Sequence, residues 1–194
     1  SIYGVDGPPP DLMQAMTIET IAGKRFDTLS GGQKRRVSLV LAFMGDPRIV
    51  FLDEPTAGLD PEARSALVAV LKDRRDRGLT VLATLHEVDH AAELADRILI
   101  IARGRVRREG TVDSLMSTLG ADACVVLPRG TDQAPWQATG HTQLSPEGAL
   151  LVFGERSTLE RAVQKIPSGR TAVLRPTNLG DVVTREAQTA EEEK

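Results

Sequence analysis

The sequence predicts an α/β fold of three layers with a mostly parallel sheet, followed by a small α+β appendage. Short apolar runs of strand length, at residues 49–52, 79–84 and 97–102, alternate with segments whose apolar residues recur at helical spacing. This alternation is typical of a sheet covered by helices. After Gly120 the pattern changes to shorter apolar runs separated by turns, which indicates a second, smaller domain.

Capping residues indicate where the helices of the first domain begin and end. Ser30 precedes a helical pattern and can accept a hydrogen bond from the first turn of that helix. Asp60 followed by Pro61 is a strong start signal, because proline fits the first position of a helix. Gly78 ends this helix, and Gly104 permits a tight reversal after the third strand.

These patterns divide the chain into three parts. We expect residues 1–119 to form the first domain and residues 120–185 the appendage, in which residues 128–146 form a long loop. The acidic residues 186–194 lack aromatic side chains, so we expect a disordered tail. The continuous apolar run at residues 49–52 predicts a strand that is covered on both faces.

Composition and charge restrict the classes of function. With 41% hydrophobic and 26% charged residues, the chain has the composition of a globular protein. Its net charge of −3 argues against nucleic-acid binding, which needs clustered cationic side chains. The single Cys124 favours a reducing compartment. No apolar run is long enough to span a bilayer, so we expect any membrane association to require a partner.

Two sequence features suggest phosphate chemistry. Asp53 and Glu54 directly follow an apolar strand, and open α/β sheets place their ligands at the carboxyl ends of strands. One carboxylate of such a pair can hold Mg²⁺ while the other polarises an attacking water. Upstream, Ser30 and two glycines form a turn at a helix start, where backbone N–H groups can approach phosphate oxygens. Each feature alone also fits an ordinary strand end or an ordinary helix cap.

The order of the motifs resembles the ATP-binding-cassette (ABC) ATPases. Residues 29–33, Leu-Ser-Gly-Gly-Gln, match the signature motif of that family as it stands. The pair Asp53 and Glu54, residues 57–60 and His86 follow in the order of its Walker B pair, D-loop and switch histidine. The resemblance covers residues 3–119 and implies a partial domain of the P-loop NTPase type.

The resemblance also implies a role for each matching residue. Asp53 would serve the Mg²⁺ site, while Glu54 and His86 would act on the γ-phosphate of ATP, the first by orienting water and the second by sensing the phosphate. A second cassette would bind head to tail, so the signature turn would contact the nucleotide of the opposite subunit, with Asp60 at the same interface. The nucleotide-binding residues on this reading are Ser30, Gly31, Gly32, Gln33 and Asp60.

Further expectations concern partners and location. The family resemblance implies an integral membrane permease subunit as partner, and a peripheral position at the cytoplasmic face of the cell membrane. From Thr111 onward the chain resembles the extension of daunorubicin-resistance-type multidrug exporters. Residues 175–182 are similar to their Arg-Pro-Thr-Leu-Glu-Asp-Val-Phe ending, from which Asn178, Gly180 and Val183 depart. This similarity implies an exporter.

One expected motif is absent from the 194 residues. No segment fits G-x-x-x-x-G-K-[ST], the P-loop that supplies most of the charge compensation for a triphosphate. The chain also opens at Ser1 in a Gly/Pro-rich stretch, residues 4–10. We therefore expect a missing N-terminal portion and no ATP turnover by the isolated chain. An incomplete sheet would also leave an edge strand and apolar surface exposed.

Two other functions remain open on the sequence. The chain could be a non-enzymatic remnant that docks on a partner cassette. It could also be a zinc metallohydrolase, because residues 86–90, His-Glu-Val-Asp-His, match H-E-x-x-H. Against zinc, His86 directly follows a predicted strand, whereas both histidines of that motif lie inside one helix, and no convincing third ligand follows.

Overall fold

A computed structural model describes residues 7–166 and 172–192. Residues 4–6 of the opening Gly/Pro-rich stretch and residues 193–194 of the acidic tail lie outside this range. The chain divides into two compact units, Ser1–His90 and Ala91–Lys194. The sequence placed the end of the first domain later, after residue 119.

The first unit contains one parallel strand pair and its helices. The two strands pair in register from Ile49↔Thr80 to Asp53↔Thr84, so both end at the same edge. This pair is the parallel part of the predicted sheet within the described residues. The elements, with α4 crossing into the second unit, are α1 Pro10–Ala15, α2 Gly31–Ala42, β1 Ile49–Asp53, α3 Pro61–Asp76, β2 Thr80–Thr84 and α4 Val88–Leu94.

Both predicted helix caps are confirmed. Ser30 forms a capping box with Gln33 at the start of α2, which satisfies two backbone N–H groups that a helix end leaves unpaired. Asp60 accepts a hydrogen bond from the N–H of Ala63 at 2.9 Å, with Pro61 at the first position of α3. These caps fix where α2 and α3 begin, and therefore where the turns before them lie.

The strand β1 is covered on one face only. Val50 and Leu52 are buried, whereas Ile49 and Phe51 on the opposite face are exposed, Phe51 to 73%. The expectation of a strand covered on both faces is therefore wrong for the described chain, because no described element packs over this side. Leu82 of β2 is likewise 55% exposed. The expectation of exposed apolar surface at this sheet is met.

The second unit begins with an antiparallel hairpin and continues into a four-stranded sheet. The predicted reversal at Gly104 is confirmed, with the glycine at φ +70° between the two hairpin strands. The elements are β3 Ile98–Ala102, β4 Arg105–Gly110, α5 Val112–Ser117, β5 Ala123–Leu127, α6 Ala134–Gln137, β6 His141–Leu144, β7 Leu150–Gly154, α7 Arg156–Val163, β8 Val173–Pro176 and α8 Leu179–Glu192.

The appendage has the α+β character that was predicted. Its strands pair antiparallel in the order β6-β7-β5-β8, and the elements follow the chain order β-α-β-β-α-β of the split βαβ motif. Buried Val125, Val152 and Leu159 belong to the core between the sheet and α7. Residues 128–146 are not one long loop, because α6 and β6 lie within them.

The acidic tail is helical rather than disordered over residues 186–192, which belong to α8. Glu186 is 5% exposed, and its carboxylate lies 2.9 Å from Nε of Arg108, so this acid is paired with β4 instead of solvated. Arg185 donates to the carbonyl of Thr118 at 2.8 Å. Because α8 packs on β3 and α5, these elements group with the appendage. Among the described residues, no helix combines the length and apolar character needed to cross a bilayer.

Candidate active site

The carboxyl ends of β1 and β2 bring together three polar side chains. The hydroxyl of Thr84, at the end of β2, donates to Oδ1 of Asp53, the last residue of β1, at 2.5 Å. The N–H of Glu54 donates to the carbonyl and to the hydroxyl of the same threonine, at 3.1 and 3.0 Å. Thr84 therefore fixes both acids relative to β2, a role that the sequence analysis missed. A threonine ending an apolar strand opposite an Asp-Glu pair was the available signal.

Glu54 adopts an uncommon backbone conformation. Its φ is +46°, in the left-handed region that costs a residue with a side chain about 1–2 kcal/mol. Such a conformation persists only where neighbours hold it, and it occurs often at functional sites. The chain turns sharply here, and the Glu54 side chain, with 36% of its surface exposed, points to the strand edge.

His86 completes the cluster at this edge. Its Nε2 atom lies 2.8 Å from Oε1 of Glu54, and 86% of its side chain is exposed. It lies between the end of β2 and the start of α4 at Val88, rather than inside that helix. Three predicted residues, Asp53, Glu54 and His86, are therefore brought together, with both the acid and the imidazole accessible to a ligand.

The second histidine of the H-E-x-x-H match belongs to a different cluster. Nε2 of His90 lies 3.0 Å from Nη1 of Arg64, and its Nδ1 lies 3.1 Å from Oε2 of Glu87. A guanidinium beside the imidazole opposes binding of a second cation there, and His86 pairs with another group. The described residues contain no cluster of three or more potential metal ligands. This geometry argues against the hypothesis of a zinc hydrolase.

Asp53 and its surroundings fit a Mg²⁺ site in which the substrate supplies most of the ligands. This ion prefers oxygen ligands and usually binds through one or two carboxylates together with phosphate and water. Asp53 offers a carboxylate at the strand end with a hydroxyl beside it, and Glu54 follows directly. The oxygen donors fit Mg²⁺ held largely by phosphate and water, rather than a cage of protein ligands.

The predicted signature turn lies at the start of α2. The hydroxyl of Ser30 accepts from the N–H of Gln33 at 3.3 Å, and Oε1 of Gln33 accepts from the N–H of Ser30 at 3.1 Å. A Cβ added at Gly31 or Gly32 meets no atom within 4 Å, so packing within the chain does not require glycine at either position. An approaching phosphate oxygen would require it.

Asp60 serves as a helix cap and an ion-pair partner. Its Oδ2 lies 2.6 Å from Nη2 of Arg36, whose Nη1 donates to the hydroxyl of Thr17 at 2.7 Å. The hydrogen bond from the Ala63 N–H lowers the pKa of Asp60, and the Arg36 guanidinium lowers it further. Both contacts lie within the chain, so they leave the predicted interface role of Asp60 without direct support.

A second residue that sequence reasoning missed links the turn to the acids. Arg35, two positions after Gln33, donates through Nη2 to the carbonyl oxygens of Asp53, at 2.9 Å, and of Glu54. Among the described residues, Ser30 and Gln33 bond to each other, and Arg35 supplies hydrogen bonds from α2 to the strand end. A basic residue in this helix was visible in the sequence, but its partner was not.

Known proteins with similar sequences are ATP-binding subunits of transporters. The family described as ABC transporter matches residues 10–57. The Nod factor export ATP-binding protein I of Burkholderia lata is 36% identical over 180 residues, which are 90% of this chain and 58% of that protein. Its counterpart in Neorhizobium galegae is 35% identical over 91% of this chain and 52% of that protein. The chain thus spans little more than half the length of these relatives.

An import protein and a solved structure are also similar. The methionine import ATP-binding protein MetN of Streptomyces coelicolor is 42% identical over 106 residues, which cover 54% of this chain and 30% of that protein. The solved structure of an ATP-binding subunit of an ABC transporter aligns with a TM-score of 0.53 and 31% identity, covering 57% of this chain and 46% of that one. The predicted cassette fold is confirmed by this alignment.

Proposed function

We propose that the chain belongs to the ABC transporter ATPases and that it supplies the hydrolytic acids of one ATP site and the signature turn of another. The observation that carries the proposal is the cluster of Asp53, Glu54 and His86 at the carboxyl ends of two parallel strands. Open α/β sheets bind ligands at this edge. The P-loop would come from outside residues 1–194.

The geometry supports a division of labour between the two acids. Asp53 would hold Mg²⁺, which would neutralise part of the phosphate charge when bound. Glu54 orients a water molecule, whose oxygen forms a bond to the γ-phosphorus as the bond to the β–γ bridging oxygen of ATP breaks. The proton of that water passes to Glu54, and ADP leaves with the electron pair. His86, whose Nε2 atom lies 2.8 Å from Oε1 of Glu54, donates to the γ-phosphate oxygens.

The signature turn acts on a second nucleotide. The amide groups at the start of α2 and the positive end of its dipole suit an anion, and Gly31 and Gly32 leave room for its close approach. Ser30 and Gln33 would exchange their mutual hydrogen bonds for bonds to phosphate oxygens. We propose that this nucleotide is held by a second cassette in a head-to-tail dimer, with Asp60 near the interface.

Export is the favoured direction of transport. The Nod factor export proteins match 90–91% of this chain, whereas the methionine import protein matches 54%. The long matches therefore extend into the appendage. We propose that a separate membrane permease carries the cargo, with the chain at the cytoplasmic face of the membrane, where ATP is available. The daunorubicin-resistance subgroup remains a prediction.

A reconstitution tests the proposal. The 194-residue chain is combined with a P-loop segment from a cassette of the same family, and ATP hydrolysis is measured with and without Mg²⁺. We expect turnover by the assembly, none by the chain alone, and a loss of roughly 10²–10⁴-fold for Glu54→Gln. Vigorous hydrolysis by residues 1–194 alone, or an assembly indifferent to this substitution, would contradict the proposal. An assembly that binds ATP but never hydrolyses it would favour the non-enzymatic remnant.

A further inference from the structure

Resting on the proposed function, we propose that Arg35 is a positioning residue for Glu54. Its hydrogen bonds hold the backbone at the end of β1 and thereby keep the Glu54 carboxylate beside His86. The premise is the pair of hydrogen bonds from Nη2 of Arg35 to the carbonyl oxygens of Asp53 and Glu54. Arg35 is anchored in the first turns of α2, whose cap is fixed by Ser30.

The backbone of Glu54 needs such support. A φ of +46° is unfavourable for a residue with a side chain, so a released Glu54 relaxes toward negative φ. Thr84 holds its N–H, and Arg35 holds the carbonyl groups on both sides of it. Rotation about φ redirects the Cα–Cβ bond, so relaxation moves the carboxylate away from its position 2.8 Å from His86.

The acceptors of the Arg35 hydrogen bonds are backbone oxygens, and this matters for the chemistry of Glu54. In the described contacts Arg35 donates to carbonyl oxygens and not to the carboxylates of Asp53 or Glu54. A guanidinium bonded to the Glu54 carboxylate would stabilise its charged form and weaken it as an acceptor of a proton. Arg35 orders the acid without occupying its oxygens. Its loss is therefore expected to lower kcat and leave the KM for ATP unchanged.

The neighbouring cations provide matched controls. Lys34 lies 5.8 Å above the ring of Phe26, and Arg36 bonds to Thr17 and Asp60. Three consecutive positive charges thus have three separate sets of partners. Lys34→Met removes one charge from the same helix without touching the strand end, whereas Arg35→Met removes the charge together with both hydrogen bonds.

The first measurement needs no ATP turnover. Backbone amide hydrogen exchange is compared for the 194-residue chain and its variants in a peptide covering residues 53–57. We expect Arg35→Met to accelerate exchange there on the order of tenfold, as suits the loss of one or two hydrogen bonds. Arg35→Lys, which keeps a donor, should fall between the two, and Lys34→Met should match the unaltered chain. Equal exchange in all four proteins would overturn the proposal.

The second measurement uses the assembly with the supplied P-loop segment. Arg35→Met should lower kcat at unchanged KM, Arg35→Lys should recover part of the rate, and Arg35→Met should add no loss to Glu54→Gln, because both act through one group. Accelerated exchange with an unaltered kcat would make Arg35 a purely structural contact and overturn its positioning role. If the unaltered assembly lacks ATPase activity, the proposed function fails, and the exchange comparison alone decides whether Arg35 holds Glu54.

Discussion

Nε2 of His86 lies 2.8 Å from Oε1 of Glu54 although the two residues belong to different loops. Each loop follows one of two strands that run parallel in register, so the strand ends bring them together. The contact joins a potential proton acceptor to a group that can donate to a phosphate, and both remain accessible. Changes to either residue should therefore affect phosphate chemistry far more than folding.

His86→Ala should reduce ATP hydrolysis by the assembled cassette roughly 10²-fold or more, because the γ-phosphate loses a positioned donor. Stability should change little, since 86% of the side chain is exposed. The measurement is steady-state ATP turnover together with urea unfolding. His141→Ala provides the control, because His141 is an exposed histidine of β6. Similar rates for the two variants would argue against a role for His86.

The stability that Asp60 contributes should depend on pH. The Ala63 N–H and the Arg36 guanidinium lower the pKa of this carboxyl, so the folded chain binds its proton less readily than the unfolded chain. The contribution is complete above the ordinary aspartate value of about 3.9 and is lost as the pH falls through the lower folded value.

Asp60→Asn isolates this effect, because asparagine also caps helices but cannot form the ion pair with Arg36. Urea midpoints should show the unaltered chain as the more stable protein near pH 7, with the difference shrinking below about pH 4. A difference that grows on acidification would have the wrong sign for a lowered pKa. Ser65, which bonds within α3, offers Ser65→Ala as a control without a titrating group.

Cys124 should be unreactive in the folded chain. Burial raises the pKa of its thiol to about 11, so the thiolate that reacts with alkylating reagents is scarce near neutral pH. Mass spectrometry after iodoacetamide treatment at about pH 8 should find an unmodified native chain and a fully modified chain in urea. Rapid labelling without denaturant would show that β5 opens readily.

Local signals predicted much of the fold, and contacts between distant residues decided the rest. Asp60 before Pro61 predicted the start of α3, and Gly104 predicted the hairpin, because caps and turns depend on residues that are neighbours in the sequence. The acidic tail was misread because its charges were given more weight than its helical spacing. The burial of Glu186 depends on Arg108, which is far away in the sequence. The spacing of apolar residues along the chain does not predict an ion pair between such distant residues.

The candidate site shows the same division. The order of the motifs along the chain predicted Asp53, Glu54 and His86, because each motif is recognised from residues that are neighbours in the sequence. The contributions of Thr84 and Arg35 depend on the pairing of β1 with β2 and on the packing of α2 against the strand end. These are tertiary relationships, so the residues that hold the acids in place became visible only in the structure.

The ion pair between Arg175 and Asp181 should be the most costly of the appendage to break. Two hydrogen bonds of 2.8 and 2.7 Å join the guanidinium to a carboxylate that is 3% exposed. Arg175→Met leaves that charge buried without its cation, although the N–H of Asn178 still donates to it at 2.9 Å, and breaking a buried ion pair typically costs about 3–5 kcal/mol. Arg156→Met is the control, because its pair with Glu160 is exposed and 3.7 Å long, and exposed pairs contribute at most about 1 kcal/mol.

The double variant separates charge burial from packing. Adding Asp181→Asn to Arg175→Met removes the unpaired charge and should restore part of the lost stability, since an amide costs less to bury than an ionised carboxylate. Urea unfolding of the 194-residue chain, followed by the fluorescence of Trp136 in the same unit, measures each step. If the double variant is less stable than Arg175→Met by the full cost of Asp181→Asn alone, the two residues act independently and the buried-charge explanation fails.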